Sequence, residues 1–166
     1  MTTRPWIAGL LGALLSSALA WPAYGEGGTS ASCVLRIPAK LSPGFSPTSR
    51  SGTYGTEGET GTILCLGTVG GHRVTGPGTF EFEGTYSGDC FGNVGSGTYV
   101  ITLPTEVGPK RFTGSYTERR TGFTGPVEAS QPGGHFRGRF LVLPAKGDCF
   151  TTPLTEVVIN MAGTFA

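Results

Sequence analysis

Cys33, Cys65, Cys90 and Cys149 are the residues of this 166-residue chain best suited to covalent chemistry. Their gaps of 32, 25 and 59 residues lack the short Cys-x-x-Cys spacing that a zinc site needs. An even count without metal spacing reads as two disulfides. Two of the four sit in one repeated tetrapeptide, Gly88-Asp89-Cys90-Phe91 and Gly147-Asp148-Cys149-Phe150, each at the end of a β-like run. Cys33 and Cys65 both lie in strand-like apolar settings nearer the N-terminus. Cys33–Cys65 with Cys90–Cys149 is therefore the favoured pairing of the three, and the other two stay compatible with the sequence. His72 and His135 stand isolated, so no metal site and no cofactor site is expected.

The remaining polar groups form no catalytic constellation. Gly95-Ser96-Gly97 lacks the spacing of a nucleophile elbow and the helix that should follow it. Gly76-Pro77-Gly78 precedes no helix N-terminus, so it is not a phosphate loop. Glu81 and Glu83 project from one strand face about 7 Å apart. Paired carboxylates cleave glycosides, but two acids on an outward strand face are ordinarily just solvated. His135, Arg137 and Arg139 also share a face, with Arg119-Arg120 near in sequence. That is an anion patch in outline and a solvated strand face in its simpler reading. No catalytic residue is assigned, and the chain is read as a non-enzyme.

The aromatic residues carry more information. Phe80, Phe82, Tyr86, Tyr99, Phe112, Tyr116, Phe136 and Phe140 all fall on the apolar side of alternating runs, so they would converge inside a barrel. Such a set can line a cavity for one small apolar ligand. With few Leu and Ile available, the favoured reading is that the rings fill the interior themselves.

These groups must be positioned by strands. Phe80/Phe82/Tyr86 alternate with Glu81/Glu83/Thr85, and Tyr99/Ile101/Leu103 with Thr98/Val100/Thr102. Phe112/Tyr116 alternate with Arg111/Thr113/Ser115, and Phe136/Phe140/Val142 with His135/Arg137/Arg139. Val157, Ile159, Met161 and Phe165 share the last inner face. Period-2 patterning with polar outer faces predicts half-buried antiparallel strands. Eight are expected, near 33–38, 62–69, 78–86, 97–104, 110–118, 121–128, 134–143 and 155–165. Short turn-rich connections favour a meander. The predicted class is all-β, an antiparallel up-and-down β-barrel of about eight strands, with a two-sheet β-sandwich as the alternative. In a meander alternate connections share one end, so Cys90 and Cys149 would meet on one rim.

The 29 glycines and 12 prolines make up about a quarter of the chain, and only 14% of residues are charged. Helical bundles and coiled coils are excluded by that composition. Gly84, Gly114, Gly125 and Gly138 recur within the runs, as sharply curved strands require. Residues 39–60, rich in Ser, Thr, Pro and Gly, fit no run and read as a long flexible loop, a linker or a lid.

Residues 1–25 read as a secretory signal peptide: Arg4, an apolar core from Trp6 to Ala20, and a small-residue exit after Ala20 or Gly25. Residues 26–166 form the single mature domain, with no membrane span expected after cleavage. Removing Arg4 leaves basic and acidic residues in balance, which disfavours nucleic acid as a partner. Cleavage after Gly25 also removes Trp6 and Trp21.

The leader, Cys65-Leu66-Gly67, the repeated Gly-Thr strands and Gly147-Asp148-Cys149-Phe150-Thr151-Thr152-Pro153 together resemble the small secreted Gly/Thr-rich β proteins of actinobacteria. The resemblance spans most of the mature chain and implies no established activity. The chain departs from lipocalins and avidins in lacking their Trp-bearing first strand. The expected function is that of an exported structural or interaction module at the cell surface or in the medium, whose partner, a protein or a small apolar ligand, the sequence does not name. The second reading is a carrier of a small apolar ligand, for which an interior void above about 300 Å³ is the mark. A hydrolase comes third.

Overall fold

Alternation of apolar and polar residues is what builds the wall. The computed structural model describes residues 28–166; the expected signal peptide lies outside the described residues. The strands are β1 (Ser30–Phe45), β2 (Arg50–Gly55), β3 (Gly61–Val69), β4 (His72–Arg73) and β5 (Gly78–Gly88). They continue as β6 (Gly92–Thr105), β7 (Gly108–Thr121), β8 (Thr124–Gln131), β9 (Gly134–Lys146) and β10 (Leu154–Phe165). Every pairing is antiparallel between sequence neighbours from β5 to β10, and β10 returns to pair with β1.

The second strand position is shared. β3 pairs with the first half of β1 (Cys33 opposite Cys65) and β2 with its second half (Leu41 opposite Tyr54). β2 and β3 run in one direction and both pair with β5, so they act as one interrupted strand. Eight positions thus close into a hydrogen-bonded ring, not evenly disposed about an axis. Closure leaves no sandwich edge. The short β4 extends the sheet beyond the ring at the end of β3.

Residues 39–60 correct the sequence expectation: they are mostly strand, not a long loop. The alternation of Leu35 and Ile37 continues through Ala39 and Leu41, all buried, to Phe45. Pro43 is accommodated because β1 has left β10 there; their pairing jumps from Lys40 to Phe45. A proline without an amide donor fits such an irregularity. Tyr54 then turns inward from β2 and is 8% exposed.

Inside, aromatic rings lie over inward glycines. A Cβ on Gly84 would collide with the Tyr116 hydroxyl and with the Ser96 carbonyl, and one on Gly114 would strike the Tyr99 ring and the Ser130 carbonyl. The missing side chains leave room both for the rings and for neighbouring backbone to approach.

Both disulfides form as favoured, Cys33–Cys65 across β1 and β3, and Cys90–Cys149 between the β5–β6 and β9–β10 connections. The latter two share the upper rim. The repeated tetrapeptide closes both loops through its aspartate, although the backbones differ: Cys149 is left-handed, with φ 75°, and Cys90 is not. Asp89 Oδ1 accepts from the Phe91 and Gly92 amides, and Asp148 Oδ1 from those of Phe150, Thr151 and Thr152. Each aspartate closes its loop, each cysteine points inward, and Phe91 and Phe150 stand exposed edge to face, 5.9 Å apart.

The Cys90–Cys149 bridge spans 59 residues of chain. Removing it by Cys90→Ala with Cys149→Ala should lower the unfolding free energy by about 4 kcal/mol in the chain-entropy model. Urea denaturation of the oxidised protein and of the double variant checks this.

Candidate functional site: the barrel interior and its polar end

Six of the eight aromatic residues singled out from the sequence line one interior cavity: Phe80, Phe82, Tyr99, Tyr116, Phe136 and Phe140. Tyr86 and Phe112 do not. Tyr86 is buried beside Phe45 and donates its hydroxyl hydrogen to the Pro43 carbonyl, while Phe112 is only half-buried, against Gly70. The cavity measures about 80 Å³, far below the void that a drug-sized ligand needs. Rings and aliphatic side chains fill most of the interior. Phe80 stacks on Tyr99 with centroids 5.8 Å apart, and Phe82 meets Tyr54 and Tyr116 edge-on.

The upper end of the interior is polar, and sequence reasoning missed it. On β7 the inward parity of Phe112 and Tyr116 carries on to Glu118 and Arg120. On β6 the parity of Tyr99 runs back to Asn93. Continuing the period-2 count two steps past Tyr116, and three steps back from Tyr99, would have found them.

Arg120 is 4% exposed and ties the rim together. Its guanidinium lies 4.4 Å from the centroid of the Phe45 ring. It donates to Asn93 Oδ1 (2.5 Å), the Asp89 carbonyl (2.5 Å), the Cys90 carbonyl (3.2 Å) and the Gly122 carbonyl. Asn93 Nδ2 in turn donates to Glu118 Oε1 at 2.5 Å, and the Tyr54 hydroxyl donates to the same oxygen at 3.5 Å. Glu118 Oε2 is buried without a hydrogen-bond partner, and the buried Tyr116 hydroxyl lies beside that of Tyr54.

Burial is the largest influence on Glu118 and pushes its carboxyl up from 4.5 to about 7, against the opposing pull of the Asn93 hydrogen bond, the Arg120 charge and Tyr54. Burial likewise raises Tyr99 to about 12 and lifts Tyr54 and Tyr116 further. Desolvation pulls Arg120 below its ordinary value. Chemically this is a polar cluster bonded within itself at one end of the interior, with one carboxyl that changes charge near neutrality.

The outer wall separates into two halves. Over β3, β1, β10 and β9 the exposed side chains include Leu64, Leu66, Val34, Leu141 and Leu143, each at least 41% exposed, with Ser32, Arg36, Thr62, Arg137, Arg139, Ala162 and Thr164 among them. The walls of β5 to β8 are more polar and present Glu81, Glu83, Thr85, Ser96, Arg111, Thr113, Thr117, Arg119 and Glu128, with Val94 the one large apolar side chain exposed on these strands. Glu81 and Glu83 face outward, away from the cavity, in the solvated setting the sequence favoured. Arg137 lies 3.8 Å from Glu128, and the His135 ring bonds Ser130. Arg119 and Arg120 part company, the first outward and the second inside, so they form no common anion patch. Among the described residues no group of three or more His, Cys, Asp or Glu is placed to hold a metal ion.

Comparison with protein-family models, with curated proteins and with solved structures finds no match to this chain. The class stated by the structure is a closed, disulfide-stapled up-and-down β-barrel.

The raised Glu118 value sets a direction for stability against pH. The fold favours the protonated carboxyl, so this contribution is full below pH 4.5 and lost as pH rises to about 7. The loss amounts to at most about 3 kcal/mol for a group not wholly buried. Asp148 acts oppositely: its hydrogen bonds from Thr151 and Thr152 hold its carboxyl well below 3.8, so its contribution disappears as pH falls below that value. Urea midpoints measured across pH should peak on the mildly acidic side, and Glu118→Gln should flatten the decline between pH 4.5 and 7.

Proposed function

We propose that the protein is an exported, non-enzymatic interaction module that associates with further copies of itself through the apolar half of its outer wall. The observation that carries this reading is the exposure of Val34, Leu64, Leu66, Leu141 and Leu143 on β1, β3 and β9, with the outward Ala162 of β10 between β1 and β9. Contiguous apolar patches on a soluble surface mark interaction sites, whereas single exposed side chains need no explanation. The nearly filled interior supports the same reading over that of a carrier for a large ligand. Export is supported by the leader-like residues 1–25 and by two disulfides.

Charge argues for a second copy as the occupant. Arg36 and Arg139 sit within the apolar wall, and no carboxylate among the described residues lies within 4.0 Å of either. Glu81 and Glu83, on β5, are equally without an ion-pair partner among the described residues. The two sets lie on different walls of one barrel. A head-to-tail contact, with the arginine-bearing wall of one copy against the glutamate-bearing wall of the next, would pair them. The balance of basic and acidic residues outside Arg4 removes any net repulsion between copies.

Sedimentation velocity over a dilution series should show a concentration-dependent oligomer of the oxidised protein. Leu64→Lys with Leu141→Lys should raise the dissociation constant at least about tenfold. Arg139→Glu should do likewise, and Glu83→Arg in the same chain should restore assembly. A monomer at every concentration, or charge reversal without effect, overturns the reading.

A further inference from the structure

The interior cavity is a hydrocarbon chamber whose polar neighbours spend their hydrogen bonds elsewhere. Ile37, Ile63, Phe80, Ile101, Val127 and Phe140 are among the side chains that line it, and the surface they present is almost entirely carbon. At the upper end Asn93 Nδ2 donates to Glu118, and Arg120 donates to Asn93 and to rim carbonyls. Glu118 Oε2 and the Tyr116 hydroxyl have no accessible surface. That hydroxyl lies against the wall at Gly84, where a Cβ would strike it. The Tyr99 hydroxyl donates to Gln131 Oε1 at 3.4 Å.

Two physical consequences follow from such a lining. Water gains nothing by entering, because a buried water needs two to four polar partners and the walls present hardly any polar surface. A dry void also forfeits dispersion contacts on every side chain that borders it, and an apolar guest restores them. Size then limits the guest. The cavity's 80 Å³ is about half of the roughly 150 Å³ that admits benzene in an engineered apolar cavity, so about three carbon atoms take the place of six.

We propose that the barrel interior binds a light hydrocarbon of about three carbon atoms that carries no polar atom. The walls discriminate by chemistry and by size together. A hydroxyl or carbonyl on the guest loses its hydrogen bonds to water and finds no partner inside. An aromatic ring exceeds the space that Phe80, Tyr99 and Phe140 leave open. None of the outer-wall residues assigned to self-association borders the cavity, so the two sites stand separately.

Cyclopropane is a probe of this size, ethanol matches it in non-hydrogen atoms but carries a hydroxyl, and benzene is the oversized control. Each is titrated into the full oxidised chain while methyl and aromatic NMR shifts are followed. Cyclopropane should produce saturable shifts confined to cavity-lining residues such as Ile63, Ile101 and Val127. Ethanol should bind at least about tenfold more weakly, and benzene should leave those shifts unmoved. Ile101→Ala, which cuts back a side chain only 1% exposed, should admit benzene with saturation. Leu64→Lys with Leu141→Lys, on the outer wall, should bind cyclopropane as the parent does, which separates this proposal from self-association. Cyclopropane shifts that fail to saturate or that spread over the outer wall, ethanol binding as tight as cyclopropane, or benzene binding to the parent would each overturn it. The titrations of the parent decide the matter by themselves if Ile101→Ala does not fold.

Discussion

An interior made largely of aromatic rings can close only if part of the wall carries no side chain. That constraint governs this barrel. Tyr99 and Tyr116 reach across strands into space that a Cβ on Gly114 or Gly84 would occupy, and at the same positions the neighbouring backbone comes close. Glycine inside a strand ordinarily weakens it. Here each loss is offset by the burial of a large ring against it, and by the bend that lets eight strand positions meet. The same arrangement explains why so little aliphatic side chain suffices, and why only about 80 Å³ of the interior is left open.

The rim is organised around a different interaction. Arg120, a buried cation, is held by carbonyls of the β5–β6 and β7–β8 connections, by Asn93 and by the Phe45 ring. Through Cys90 the same cluster reaches the disulfide, and the Cys90 amide donates to Ser46 at the β1–β2 connection. Covalent bridge and buried charge therefore brace one end of the barrel jointly. Glu118 lies beneath, and its partly unpaired carboxyl joins this structural cluster to the cavity. The repeated Gly-Asp-Cys-Phe turn makes the arrangement compact: one residue bends the backbone, one closes the turn, one bridges, and one faces solvent.

Much of this was legible in the sequence because alternation is a local property. Each inward set from Phe80 to Phe165 follows from reading every second residue, and the eight strand positions follow from counting the runs. The shared tetrapeptide pointed to Cys90–Cys149 once the meander placed both copies on one rim. The signal failed where composition masked it. Between residues 39 and 60, Ser, Thr, Pro and Gly resemble a linker, yet Leu41, Phe45 and Tyr54 keep the inward parity and the segment forms strand. Glu118 and Arg120 escaped for the converse reason. Charged residues mark the end of an apolar run, although here they simply continue its inner face.

Period-2 patterning, turn chemistry and the even cysteine count determined an all-β, disulfide-stapled meander, since each depends only on near neighbours. Only the tertiary structure decided that β10 closes on β1, because that pairing joins opposite ends of the chain. Only the assembled ring brings Tyr54, Asn93, Tyr116, Glu118 and Arg120 from three strands to one buried end. Burial and the carboxyl's shift to about 7 are products of that convergence. The division of the outer wall is likewise tertiary, because β3, β1, β10 and β9 become neighbours only when the barrel closes.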